Sequence, residues 1–234
     1  MAVLTATLPR PAVRKRPLSR RTLRILIGLL ISYLVLWAAG AGSILGLSLW
    51  ARAETPAPAG TRAVQGVNHF QAVDTGGRLW RGSAPSPAGY RALASMGITT
   101  VVDLRAEHMS AAQLAEPAEA GLNAVRLPIR DGQTPSPKQV QRFLDIVSSS
   151  SGPVFVHCGA GVGRTGAMVA SYLVQTGKES PSMAVRRNLA VGPPSIEQIY
   201  YGLNLSPAKA EQPPLPVVVL SRLVDAPRRI MSYF

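Results

Sequence analysis

Val154-Phe155-Val156-His157-Cys158-Gly159-Ala160-Gly161-Val162-Gly163-Arg164-Thr165-Gly166 is the stretch from which this chain of 234 residues is best read. Val154 to Val156 has the short, uninterrupted apolar character of a buried strand. Thr165 to Gln175 (TGAMVASYLVQ) has the composition of an apolar helix beginning near Arg164. Between them, small residues turn the chain sharply. Gly159, Ala160, Gly161, Val162 and Gly163 let backbone N–H groups converge on one point, and the helix N-terminus adds positive potential. The product is a cradle for a phosphate-sized anion. Arg164, at the end of the loop, can clamp two oxygens of that anion with its planar fork. Cys158 sits at the base of the cradle, where amides, helix end and cation together favour the thiolate. Such a thiolate is placed for in-line attack on phosphorus. The Thr165 hydroxyl can hydrogen-bond the sulfur and ease its departure, and His157 is expected to hold the loop rather than act as a base. A lone cysteine at a strand end is ordinarily a buried structural residue. Cys-x5-Arg-Thr-Gly in a strand-loop-helix setting is a far more demanding pattern.

A leaving oxygen needs a proton, so a carboxylic acid is expected on a loop above the cradle. Asp131, in Leu127-Pro128-Ile129-Arg130-Asp131-Gly132-Gln133-Thr134-Pro135, follows a short strand and is flanked by Pro and Gly. The alternative role for Asp131 is to stabilise a turn. Asp103 and Arg105, inside Val101-Val102-Asp103-Leu104-Arg105, read as structural or rim residues.

Working outward, short strands are expected at Arg78 to Arg81, Thr99 to Leu104 and Asn123 to Leu127. Helical spacing marks Ser86 to Met96, Ala111 to Ala120 (with Pro117 as a possible breaker), Pro181 to Leu189 and Ser195 to Tyr201. Val140, Phe143, Leu144 and Val147 share one face of a helix for which Ser136 is the N-cap and Pro137 the first residue. Strands alternating with helices imply an α/β class, a central mostly parallel sheet flanked by helices.

The amino-terminal region is different. Ile25 to Trp50 carries no charge, and about 20 apolar residues suffice to cross a bilayer as a helix. Before it stand Arg10, Arg14, Lys15, Arg16, Arg20, Arg21 and Arg24, with no acid. The positive-inside rule then keeps the N-terminus cytoplasmic and exports the remainder. A cleaved leader is the rival: Ser19-Arg20-Arg21 faintly resembles a twin-arginine signal, and Ala51-Arg52-Ala53 a cleavage site. The apolar run is much longer than the usual core of a signal peptide, which favours an uncleaved anchor. The expected plan is a basic segment over 1–24, a transmembrane helix over 25–50, a Pro/Ala linker over 51–65, a catalytic domain over 66–204 and a tail over 205–234. Val217 to Val224 within that tail could be a strand, a helix on the membrane surface or loosely packed chain.

The whole chain has 25 Lys+Arg against 12 Asp+Glu. The excess is concentrated ahead of the apolar run and not on the globular part, which argues against a nucleic-acid partner. A single cysteine excludes a disulfide framework and a four-thiolate zinc site, and no metal or cofactor is expected.

The signature His157-Cys158 through Arg164-Thr165 resembles that of the cysteine-dependent protein tyrosine phosphatase superfamily, in its small dual-specificity-like bacterial group. Leu79-Trp80-Arg81-Gly82-Ser83-Ala84-Pro85-Ser86, Gly97 through Arg105 and Val191-Gly192-Pro193-Pro194-Ser195-Ile196-Glu197-Gln198 look like other segments of that group. The resemblance spans about Val67 to Asn204. It implies metal-free hydrolysis of a phosphate monoester, with Cys158 as nucleophile, Arg164 as phosphate binder, Asp131 as acid and Gln198 helping to place the hydrolytic water. Lysines found within the loop of some phosphoinositide-directed members are replaced here by Gly159 and Val162, and no phosphotyrosine-recognition loop is evident. Phosphoproteins are therefore the expected substrates. Two alternatives remain: a phospholipid or isoprenoid phosphate substrate, favoured by the bilayer partner of residues 25–50, and an inactive phospho-binding module.

Overall fold

The strands alternate in which face of the sheet they serve. In Thr100–Arg105, Val101 packs with Phe155, Tyr90 and Leu93, whereas Val102 and Leu104 pack with Val154, Val156 and Met168. This period of two builds a sheet buried on both faces. The computed structural model describes residues 19–58 and 61–231. Its strands are β1 (Gln71–Ala72), β2 (Leu79–Gly82), β3 (Thr100–Arg105), β4 (Asn123–Ile129) and β5 (Val154–His157). Its helices are α1 (Arg20–Glu54), α2 (Pro87–Ser95), α3 (Ala111–Glu119), α4 (Pro137–Ser149), α5 (Gly163–Gln175), α6 (Pro181–Val191), α7 (Ile196–Leu203) and α8 (Leu215–Met231).

The sheet order is β1-β2-β5-β3-β4. The β1–β2 pair is antiparallel and the other pairs are parallel. The expected α/β architecture is the observed one. Because β2, β5, β3 and β4 run the same way, the loops that follow them open at one edge of the sheet. β5 lies between β2 and β3, with His157 in register with both Gly82 and Asp103. Cys158 therefore emerges at the middle of that edge, where α/β sheets place their ligands.

Local signals set the helix starts. Ser136 caps α4 reciprocally with Gln139, and Pro137 occupies its first turn. Ser86, Ser110 and Ser195 cap α2, α3 and α7 in the same side-chain-to-backbone manner. Pro117 does not divide α3, which continues to Glu119. It sits near the end of the helix, where its missing N–H costs a single bond.

By compactness the chain divides at Leu36/Trp37. The first unit holds the amino-terminal part of α1, whose Leu and Ile side chains between Leu26 and Leu34 are exposed. Arg10, Arg14, Lys15 and Arg16 of the basic segment lie outside the described residues. In the second unit the end of α1 is docked on α6. Ser48 Oγ donates to Leu189 O at 2.7 Å, and Arg52 donates to Ala190 O and Val191 O at 3.2 and 3.0 Å. The Arg186 guanidinium lies 5.2 Å above the Trp50 ring and donates to Glu54 O at 2.8 Å. One expected boundary shifts as a result. Ala51 to Glu54 extend the helix instead of starting a linker, because these bonds satisfy the carboxyl end of α6 with the Arg52 cation. The stretch after 205 contains a 17-residue helix, α8.

Candidate active site

Cys158 is buried at the carboxyl edge of β5, inside the loop that leads into α5. The loop is tied down from outside by its carbonyls. Ala84 N donates to Gly159 O at 2.9 Å, His69 Nδ1 donates to Ala160 O at 3.0 Å, and Arg81 Nη2 donates to Gly161 O at 2.8 Å. In a planar trans peptide the C=O and the following N–H point to opposite sides. Binding these three carbonyls outward aims the N–H groups of Ala160, Gly161 and Val162 inward, away from β2. Gly161 is indispensable to this path. Its φ is +76°, and an added Cβ would lie 2.4 Å from the Gly82 carbonyl carbon and oxygen. His69 itself has φ 55°, a left-handed conformation rare for a residue with a side chain.

Arg81 is the buried strut beneath the loop. Besides Gly161 O it donates to Asn188 Oδ1 at 2.9 Å. Asn188 belongs to α6, and it packs so closely on the start of α5 that a Cβ on Gly166 would lie 1.8 Å from its Oδ1. Burial lowers the Arg81 pKa to about 10, against the opposing influence of the Cys158 charge, so the guanidinium stays cationic at neutral pH.

Arg164 is oriented by an ion pair invisible in the sequence. Its Nη1 and Nη2 donate to Glu107 Oε2 and Oε1 at 2.7 and 2.8 Å, and Nη1 also donates to Ile129 O at 3.1 Å. A guanidinium carries five N–H donors. These contacts occupy its end and leave the Nε–Nη2 edge, the fork that matches a phosphate. Nη2 is 3.7 Å from the Cβ position of Gly159, so this edge borders the loop. Nε lies 3.5 Å from Asp131 Oδ1. Burial opposes the Arg164 charge, but Glu107 and the Cys158 and Asp131 charges outweigh it and raise the pKa. Desolvation likewise acts to raise Glu107, and the Arg164 hydrogen bonds more than reverse it.

Asp131 reaches the same edge of the sheet from the β4–α4 loop, with its side chain partly exposed. That loop is held by the cap of α7. Ser195 Oγ donates to Gly132 O at 2.8 Å, and Gln198 Nε2 donates to Gln133 O at 2.9 Å. Gln198 Oε1 accepts from Ser195 N at 3.0 Å. The Gln198 amide, expected to place a water, is in this structure engaged in capping α7 and bracing the Asp131 loop. Thr165 is fully buried and its Oγ1 has no hydrogen-bond partner. The expected bond to sulfur is therefore not made here, although the hydroxyl is available for one.

His157 is buried and donates from Nδ1 to Cys158 O at 3.1 Å. Burial lowers its pKa to about 4, only partly opposed by the nearby Asp103 charge, so the ring is neutral at physiological pH. Asp103 pairs with Arg105 at 2.9 Å. Desolvation acts to raise Asp103, but the Arg105 hydrogen bonds and the His157 interaction leave it lowered. Among the described residues, no group of three or more His, Cys, Asp or Glu side chains is arranged to hold a metal ion.

The edge thus gathers Cys158, Arg164, Asp131, Thr165 and His157 from the sequence reading and adds Glu107, Arg81, His69 and Asn188. A family model described as a DSP-PTPase phosphatase fused to NAD+ kinase matches residues 50–201. The chain belongs to this family. It is accordingly a dual-specificity-phosphatase-like domain of the cysteine-dependent superfamily. Among DSP-PTPase relatives, the probable NAD kinase 2, chloroplastic, of Oryza sativa subsp. japonica is 38% identical over 100 residues, covering 40% of this chain and 10% of that protein. The dual specificity protein phosphatase CDC14C of Homo sapiens is 32% identical over 102 residues, covering 41% of this chain and 22% of that one. This chain therefore matches only a small part of either relative. The core catalytic domain of the PP-IP phosphatase SIW14 of S. cerevisiae superposes with a TM-score of 0.52 at 16% identity, covering 72% of this chain and 98% of that one. That likeness is one of fold.

Proposed function

We propose that the chain hydrolyses phosphate monoesters through a phosphocysteine on Cys158. The observation that carries this reading is the Nε–Nη2 edge of Arg164, aimed by the Glu107 pair and with Asp131 Oδ1 3.5 Å from Nε, at the border of a loop whose carbonyls are bound on its outer side. A phosphate seated on the fork and the loop amides puts its phosphorus in front of the Cys158 sulfur. The thiolate attacks, the bond from phosphorus to the ester oxygen breaks, and Asp131 donates a proton to the departing oxygen. Water, deprotonated by the same carboxylate, then attacks the phosphocysteine. Phosphate leaves and the thiolate is restored, with the Thr165 hydroxyl available to stabilise it. Arg164 and the amides stabilise the charge on the equatorial oxygens in both steps. Neutral His157 holds the Cys158 carbonyl and takes no proton.

The substrates we propose are phosphotyrosine and phosphoserine or phosphothreonine proteins. An intact set of Cys158, Arg164 and Asp131 at one edge argues for turnover over mere phosphate binding. A second reading, hydrolysis of a phospholipid or isoprenoid phosphate, is favoured by the exposed apolar helix α1, which is long and apolar enough to span a bilayer. On this reading α1 anchors the chain with its basic N-terminus cytoplasmic and the catalytic unit outside. The test is release of inorganic phosphate from a phosphopeptide panel and from lipid monophosphates in mixed micelles, with Cys158→Ser as control. Release from phosphopeptides supports the first reading, release from lipids alone supports the second, and release from neither nor from an aryl phosphate overturns both.

A further inference from the structure

Helix α8 is turned inside out relative to a helix at a water-facing surface. Two polar residues point inward beside Val224: Ser221 is 0% exposed and Asp225 9%, whereas Leu215 is 73%, Val219 48% and Leu223 45% exposed. The inward face is fully used. Ser221 Oγ accepts from Glu197 N at 3.2 Å and donates to Asp225 Oδ2 at 3.2 Å, fastening α8 to the start of α7. The outward residues follow helical spacing and form one stripe, bordered by exposed Arg222. Water does not favour such a face, and contiguous apolar surface of this kind marks a docking site.

The position of α8 along α1 indicates what covers it. Val224 packs directly against α1 at Gly40, where an added Cβ would lie 2.9 Å from Val224 Cγ2. Gly40 lies in the second half of the uncharged run Ile25 to Trp50, toward the end at which the globular part begins. The turns of α1 that follow it carry Leu45, Leu47 and Leu49 exposed as well. If α1 crosses the membrane, a helix packed beside Gly40 is carried to the level of lipid. We propose that the outer face of α8 lies in the lipid interface of the bilayer that α1 spans, its apolar stripe against acyl chains and Arg222 at the phosphate level. This goes beyond a simple tether, because α8 is linked to the catalytic edge: Glu197 bonds Ser221, and the adjoining Ser195 and Gln198 hold the backbone of the Asp131 loop.

The inference rests on α1 being a span, and the experiment separates the two. Full-length protein in a Cys158→Ser background is given one cysteine at Leu223 or, as a second variant, at Val219. It is labelled with an environment-sensitive fluorophore and reconstituted in phosphatidylglycerol-containing vesicles. Leu34→Cys reports on the span and Glu119→Cys, on α3, on the aqueous face. Quenching by doxyl lipid of about two-fold at Leu223 and Val219, as at Leu34, with protection from iodide, is the result expected of an interfacial helix. Iodide quenching at Leu223 and Val219 with lipid quenching retained at Leu34 overturns the proposal and leaves the span standing. Protection from both quenchers also overturns it, in favour of a second copy or another protein covering the face. Loss of lipid quenching at Leu34 removes the span and the proposal together.

Discussion

Helices α5 and α8 are both rich in apolar residues and 13 and 17 residues long, yet they treat their surroundings in opposite ways. Every residue of α5 from Arg164 to Val174 is buried; Arg164 and Thr165 lie at its N-terminus, by the cradle, and Ser171 and Tyr172 further along are hydrogen-bonded to Tyr201 and Asp74. In α8 the buried residues include Ser221 and Asp225, and the leucines face out. Burying a polar group is costly unless something binds it. In α5 the cost is met by Glu107 and Ile129 O on Arg164. In α8 it is met by the α7 backbone. The difference separates a helix whose buried charge lines the Cys158 loop from one whose apolar side chains face outward.

The two regions should fail separately. The largest effect is expected from Cys158→Ser, which should lower aryl phosphate hydrolysis by about 10³-fold or more while leaving lipid quenching at α8 unchanged. A parallel loss of lipid contact would mean the regions are coupled more tightly than their contacts suggest. Asp131→Asn should lower kcat by roughly 10²- to 10⁴-fold for substrates with poor leaving groups. With an activated aryl phosphate, which departs without a proton, the loss should be far smaller. Equal losses on both would remove the acid role from Asp131.

Glu107→Gln is expected to lower kcat/KM on the order of 10- to 100-fold, because the Arg164 fork loses its aim by a fraction of an ångström or more. The fold should remain intact by circular dichroism, and an unaltered kcat/KM would show that the pair is not a positioning device. Gly161→Ala should cost roughly 1–3 kcal/mol of stability, from the left-handed φ and the clash with the Gly82 backbone. A thermal melt in detergent would measure it.

The smallest effect concerns His157. Its pKa falls from an ordinary 6.5 to about 4 on folding. Below about pH 6.5 the unfolded chain takes up a proton that the folded one refuses, so stability declines as pH falls towards 4. Between pH 7 and 5.5 the decline is about 1 kcal/mol. The measurable outcome is a melting temperature that drops over this range in the native chain and drops less in His157→Gln. An equal drop in both would place the acid sensitivity elsewhere.

Much of the catalytic region was legible because it is contiguous. Val154 to Gly166 contains strand, nucleophile, turn and cation, and its meaning does not depend on distant chain. Ser136 and Pro137 announce α4 for the same reason: capping is settled within one turn. Glu107 was not legible. In Ala106-Glu107-His108 it looks like an ordinary surface charge, and only the adjacency of β3 to β5 brings it to Arg164. The pairing of β2 with β5 does the same for Arg81. For Gln198 the resemblance suggested a place for water, and only the structure shows that its amide also caps α7 and reaches Gln133 O.

The order of residues was enough to indicate an α/β class, a strand-loop-helix turn around Cys158 and a helix with a long uncharged run, because each arises from interactions within a few turns of chain. It was not enough to say which face of Val217 to Val224 looks outward, or which carboxylate aims Arg164. A periodic pattern defines a face without defining its neighbour, and ion pairs between residues 57 apart exist only once the sheet has ordered its strands.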